Sequence, residues 1–294
     1  MMDFLLLTHP LNFILMWVLA FGIGFFISRK FKLGWRLFWI GAATFILSQI
    51  GHIPFNAGLT QLFAQGILPA PPKAWQLPFN AVVLGLSAGL WEELTRYAVY
   101  RWWAKEARSW RKGLMLGAGH GGIEAVIVGF MVLLTLVNML ALREMDLSTS
   151  LTGEQLALTQ QEVSRYWGAA WFEPLIGALE RAFTIPAQIA FSILVLQVFT
   201  RKQSRWLWFA VLWHAVIDAG AVYLIAKFGV YVTEAAIGLS AVINIYLIWR
   251  LRQPEPEEPP EETALVPPPM TADQLDLQPV DENSVNLEDT RFSR

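Results

Sequence analysis

Long apolar runs recur along this chain at lengths that suit a bilayer. A helix crossing the hydrocarbon core needs about 20 mostly apolar residues. Seven segments supply them: 5–27, 37–56, 79–102, 113–141, 168–199, 206–226 and 232–250. The pattern predicts an all-α, polytopic membrane protein with about seven transmembrane helices. The first segment has no basic stretch before it and no small-residue cleavage site after it, so it reads as a retained helix rather than a signal peptide. The 57–78 connection, with its Pro-Ala-Pro-Pro, is expected to be re-entrant or interfacial, and 143–166 to be a polar loop on the same side.

Composition agrees with that pattern and adds a direction. Of 294 residues, 55% are hydrophobic and 16% charged, against about 25% charged in soluble domains. An ordinary cytosolic enzyme is excluded. With no cysteine, disulfides, thiolate metal sites and a cysteine nucleophile are excluded too. Short loops on the cytoplasmic side of membrane proteins collect Lys and Arg. Here Arg29/Lys30/Lys32/Arg36, Arg101/Lys105/Arg108/Arg111/Lys112, Arg201/Lys202/Arg205 and Arg250/Arg252 fall on one side, and Lys73, Arg143, Arg165 and Lys227 on the other. The expected topology is N-terminus out and C-terminus in. The net charge of −2 hides a split, because residues 253–294 carry 11 acidic and 2 basic residues. The expected organisation is a membrane domain over 1–252 and a disordered acidic, Pro-rich tail over 253–294. The bilayer is one expected partner and nucleic acid is not.

Charges inside the apolar segments change the picture further, since each costs at least about 2.5–3.5 kcal/mol near mid-membrane. Segment 79–102 holds Glu92, Glu93 and Arg96; 113–141 holds His120 and Glu124; 168–199 holds Glu180 and Arg181; and 206–226 holds His214 and Asp218. The pairs Glu92/Arg96, His120/Glu124 and His214/Asp218 are spaced i,i+4, which puts both members on one helical face. Glu180 and Arg181 are adjacent and are expected to bond different neighbours. Counted from the cytoplasmic ends of their segments, Glu93, His120 and His214 lie about 10–12 Å deep at 1.5 Å per residue. Three segments thus bring ionisable groups to one layer. Gly117, Gly119, Gly121 and Gly122 let neighbouring helices approach closely there. His52, near a segment end, reads as interfacial.

Each pair alone reads as a structural ion pair, but the set at one depth favours chemistry. A carboxylate beside a histidine in a dry pocket can hold a water and take its proton. A histidine backed by a carboxylate can donate to a developing oxyanion. Together these parts suit water attack on an amide carbonyl. Two histidines and several carboxylates also match a zinc site with an open position, with His120, His214 and Glu92 or Glu93 as ligands. The spacing leaves both open, because no His-Glu-x-x-His motif is present. A proton-coupled transporter and a non-catalytic membrane scaffold are the alternatives from other classes.

Glu92-Glu93-x-x-Arg96, Gly119-His120-Gly121-Gly122-Ile123-Glu124, Leu179-Glu180-Arg181 and His214-x-x-x-Asp218 resemble the YhfC family of intramembrane peptidases. That family is similar to the CAAX-prenyl endopeptidase and bacteriocin-processing superfamily. The motifs cover about residues 75–225. The resemblance implies an intramembrane endopeptidase in the plasma (inner) membrane of a bacterium, cutting a membrane-associated polypeptide. It implies Glu92 as the water-activating base, positioned by Glu93 and Arg96, with His120 in the second-motif role and His214 with Asp218 as the oxyanion pair. Glu124 joins this set, and Glu180, Arg181 and Gln188 support it. The resemblance favours a glutamic mechanism without a cofactor, zinc being the alternative. The chain departs from the pattern in having two residues between Glu-Glu and Arg, and in carrying Gln188 where the family has a histidine.

Overall fold

A computed structural model describes residues 4–255, and the acidic tail beyond lies outside the described residues. Eight α-helices make up the framework: α1 Leu5–Phe31, α2 Arg36–Ala64, α3 Gln76–Ala98, α4 Trp110–Glu144, α5 Gly153–Trp167, α6 Ile176–Thr200, α7 Arg205–Phe228 and α8 Val230–Arg250. No strand occurs among the described residues. Six of these helices, α1, α2, α4, α6, α7 and α8, are long and apolar enough to cross a membrane. The exception among the seven expected spans is α3, where Glu92, Glu93 and Arg96 interrupt the apolar run over the last two turns.

The helices end where backbone chemistry requires it. α1 stops at Lys32, which takes a left-handed φ of 53°. α2 runs through Pro54 to Ala64 and stops before Gly66, whose φ is +70°. The expected interfacial segment at 57–78 is therefore corrected, because its first part continues α2. In Ala-Gly-Leu-Thr-Gln-Leu-Phe-Ala the isolated Gly58 is tolerated within the helix, and the next breakers are Gly66 and the prolines that follow. The expected loop at 143–166 contains α5, which buries none of its residues. His52 likewise sits inside α2 rather than near a helix end.

α4 lies against α1, α2 and α6, while α3 lies along α7 and α6 along α8. Glycine makes two of these approaches very close. On the α2–α4 seam, a Cβ on Gly119 would collide with the carbonyl of Phe38, and one on Gly41 with that of Leu116. On the α3–α7 seam, a Cβ on Gly89 would stand 2.5 Å from the Val211 carbonyl oxygen. Small residues at a helix contact let backbones approach where larger side chains would hold them apart. Those two seams bring the ends of α3, α4 and α7 that carry the acids and histidines toward a common centre.

Candidate active site

Arg96 anchors the centre. Its side chain is fully buried, and it donates from Nε to Glu93 Oε2 at 3.0 Å and from Nη2 to Glu93 Oε1 at 3.3 Å. The rest of the guanidinium is held by α6, with Nη1 on the Gln188 carbonyl at 3.0 Å and Nη2 on Gln188 Oε1 at 2.7 Å. The expected Glu92/Arg96 pair is corrected by this geometry. The guanidinium turns to the i−3 carboxylate, because Gln188 holds its other edge.

Glu93, also fully buried, accepts in addition from His214 Nδ1 at 2.8 Å. The His214 ring stacks on Phe191, 4.3 Å between centroids. A carboxylate held by Arg96 is ionised and only accepts, so His214 donates to it from Nδ1 and turns Nε2 outward. That nitrogen lies 3.9 Å from Glu92 Oε2 and 3.5 Å from Asp218 Oδ2. Asp218 has 40% of its side chain exposed, unlike its buried neighbours, and forms the rim.

Glu92 is 6% exposed and is surrounded by polar nitrogens. Its Oε2 lies 3.0 Å from His120 Nε2 and accepts from Gln188 Nε2 at 3.3 Å, while Gln49 Nε2 donates to Oε1 at 3.4 Å. His120 thus turns to α3, and the expected His120/Glu124 pair is corrected. Glu124, one helical turn on, accepts instead from Arg181 Nη1 at 2.6 Å and from Gln188 Nε2 at 3.0 Å. Arg181 also bonds its chain neighbour Glu180, which corrects the expectation that the two bond different neighbours. The arginine stem is long enough to fold back across the angle that separates adjacent residues on a helix.

Gln188 therefore joins two clusters, Glu92/Glu93/Arg96/His120/His214 and Glu124/Glu180/Arg181. Gln49 and Asn56 of α2 escaped the sequence reading, and His52 was read there only as interfacial, although their i, i+3, i+7 spacing places three polar groups on one face of an apolar helix. That spacing was the available signal.

The geometry also bears on metal. Glu92, Glu93 and His214 bring one ligand atom each within 4.8 Å of one another. Both Glu93 oxygens are engaged by Arg96 and His214, which makes Glu93 the outer partner that orients a ligating imidazole. The remaining ligand atoms are His214 Nε2, Glu92 Oε2 and His120 Nε2, the last two hydrogen-bonded to each other. Tetrahedral zinc with bonds near 2.0–2.1 Å has ligand edges of about 3.3 Å. The 3.0 Å and 3.9 Å separations of the two imidazoles from Glu92 Oε2 bracket that edge. Two of the three ligand edges of that set therefore suit zinc, while the group whose ligand atoms all lie within 4.8 Å of one another is Glu92, Glu93 and His214.

These features define a class: a multi-pass helical membrane protein with a buried cluster of acids and histidines at its core. The chain belongs to the YhfC intramembrane metalloprotease family, whose pattern matches residues 15–252. It is also 28% identical over 260 residues to the uncharacterized membrane protein YhfC of Bacillus subtilis (strain 168), covering 85% of this chain and 96% of that one. No solved structure matches it. Its six apolar helices and its bacterial relative make it a multi-pass plasma-membrane protein of a bacterium. The family is described as metalloproteases, so the glutamic type expected from the resemblance finds no support there.

Proposed function

We propose that the protein is a zinc-dependent intramembrane endopeptidase that hydrolyses a peptide bond of a membrane-associated polypeptide. The observation that carries this reading is the placement of His120 Nε2 and His214 Nε2 around one Glu92 oxygen, with Glu93 and Arg96 locking His214 from behind. His120, His214 and Glu92 would hold the metal, a two-histidine, one-glutamate set of the kind catalytic zinc uses. A zinc ion held there would supply Lewis-acid polarisation of the scissile carbonyl. Asp218, at the rim 3.5 Å from His214 Nε2, is the carboxylate placed to take a proton from the attacking water and return it to the leaving amine. Gln188 fixes Glu92 and Arg96 relative to each other. In this reading Glu92 binds rather than acts as base, and Asp218 passes from oxyanion partner to base.

We also infer that α3 crosses the membrane with the six apolar helices. It lies along α7, and its charged groups are turned inward and paired. Seven crossings, with the basic loops on one face, place the N-terminus out and the C-terminus in.

The test is membrane peptide profiling of cells expressing wild type, Glu92→Gln and Asp218→Asn, with zinc content measured on each purified protein. The reading expects peptides that vanish in both variants, zinc retained in Asp218→Asn and zinc lost in Glu92→Gln. Peptides unchanged in both variants would refute a peptidase. Cleavage that survives stringent chelation would refute the zinc type.

A further inference from the structure

One face of α2 is polar although the rest of the helix is apolar. Ile46, Leu47, Ile50 and Ile53 are exposed on its outer side, whereas Gln49 and His52 reach α3 and Asn56 stands behind His52. Polar side chains inside a bilayer are costly and turn to a polar partner. Here the partner is the site. Gln49 Nε2 donates to Glu92 Oε1 at 3.4 Å and to Ser48 Oγ at 3.2 Å. Gln49 Oε1 lies 3.2 Å from His52 Nδ1. His52 Nε2 lies 2.8 Å from Asn56 Nδ2 and 3.2 Å from Ser87 Oγ of α3.

These contacts have a direction. Turned over, the Gln49 amide would set its oxygen against the Glu92 carboxylate, acceptor against acceptor. The amide therefore gives its N–H to Glu92 and shows its oxygen to His52. An amide oxygen only accepts, so His52 donates to it from Nδ1. The Asn56 amide, whose Nδ2 faces the other ring nitrogen, agrees with that assignment. Among the described residues Gln49 is the group bonded to Glu92 Oε1. The other oxygen, Oε2, lies 3.0 Å from His120 Nε2, 3.9 Å from His214 Nε2 and 3.3 Å from Gln188 Nε2.

We propose that Gln49 and His52 are positioning residues for Glu92: His52 sets the direction of the Gln49 amide, and Gln49 holds Glu92 Oε1 so that Oε2 stays between the two imidazoles. The proposal rests on the zinc reading above and deepens it. Hydrogen-bond partners of a ligating carboxylate fix its orientation and tune its hold on a metal. α2 carries no member of the acid–histidine cluster, yet through these two residues it enters the framework of the site. A hydrogen bond that only ties α2 to α3 would need neither a particular amide direction nor a particular ring nitrogen, and that difference can be measured.

The experiment takes full-length protein in lipid nanodiscs and measures zinc affinity by competition with a fluorescent chelator. The variants are Gln49→Met, His52→Leu, His52→Asn and the double variant Gln49→Met/His52→Leu. Asparagine keeps an N–H where His52 has Nδ1, and leucine fills the space without one. Gln49→Met and His52→Leu should each weaken zinc about 10–100-fold, the scale for an outer partner of a ligand. His52→Asn should stay near wild type. The double variant should bind as Gln49→Met does, because a residue that acts through another adds nothing once that other is gone. Unchanged affinity in Gln49→Met, equal losses in His52→Leu and His52→Asn, or additive losses in the double variant would overturn the proposal. Melting temperatures identify a variant that fails to fold, and either Gln49→Met or the His52 pair suffices if the other is lost. Infrared spectra of the metal-free protein separate the proposal from the zinc reading. The Glu92 carboxylate band, assigned by its loss in Glu92→Gln, should shift in Gln49→Met and His52→Leu and hold in His52→Asn. A wild type that binds no zinc while the band behaves in this way loses the zinc reading and retains Gln49 and His52. Zinc bound with a band that no variant moves does the reverse.

Discussion

Glu93 accepts the Nδ1–H of His214 at 2.8 Å, and that bond decides which face His214 shows to the site. With Nδ1 engaged, the ring presents Nε2 to Glu92 and Asp218. Glu93 can hold this position because Arg96 neutralises it in the same buried space. Arg96 in turn is held by Gln188 of α6. One chain of contacts therefore ties α3, α6 and α7 to the orientation of a single imidazole.

The two adjacent glutamates should respond oppositely to neutralisation. Glu93→Gln leaves Arg96 fully buried without its counter-charge, and breaking a buried pair in this way costs about 3–5 kcal/mol. Glu92 pairs with no arginine, so Glu92→Gln keeps the shape of the side chain and relieves a buried charge. Thermal unfolding of purified, metal-free protein should show a large drop in melting temperature for Glu93→Gln and a value near wild type for Glu92→Gln. A reversed order would contradict this assignment of Arg96.

Metal affinity should depend on a residue that holds no metal. Changing the outer partner of a ligating histidine typically costs 10–100-fold in affinity. Glu93→Gln should weaken zinc binding by about that factor, measured by competition with a fluorescent chelator. His214→Ala, which removes a proposed ligand, should abolish stoichiometric zinc. Equal affinity in Glu93→Gln and wild type would remove Glu93 from this role.

The glycines differ in what surrounds them, and their alanine variants should differ in sign. Gly119→Ala and Gly41→Ala each drive a methyl into a facing carbonyl, and overpacking of this kind costs about 1–3 kcal/mol or more. Gly22 has no neighbouring atom within 4 Å of an added Cβ. Gly22→Ala should be neutral or should stabilise its helix by up to about 0.5–1 kcal/mol. Melting temperatures of the three variants in one detergent provide the check.

The topology is testable with reporters. A reporter fused after Arg252 should report a cytoplasmic position, and one inserted near Thr152, just before α5, an external one. Both on the same side would mean that one of α6, α7 and α8, the three spans between them, does not cross; a third reporter at the N-terminus, expected opposite Arg252 and external like Thr152, tests α3, which lies before Thr152.

Six of the seven expected apolar stretches and the positions at which charges interrupt them were legible in the sequence, because both depend on local composition. A membrane span announces itself by length and hydropathy, and Glu92, Glu93, His120 and His214 stand out from such runs whatever the tertiary structure. The continuation of α2 to Ala64 was less legible, because the Pro-rich stretch beyond it suggested an earlier break. Pairing was not legible at all. Spacing assigned Glu92 to Arg96 and His120 to Glu124, since i,i+4 neighbours share a helical face. In the folded chain Arg96 holds Glu93, His120 turns to Glu92, and Glu124 bonds Arg181 and Gln188. Helical spacing says which residues share a face, but the partner is chosen by whichever charged or amide group a neighbouring helix brings within about 3 Å. That choice was made by α6 and by the glycine seams that let α2, α4 and α7 close around α3. The sequence determined which residues had to be satisfied inside the bilayer, and only the packing of helices far apart in the chain decided what satisfies each one.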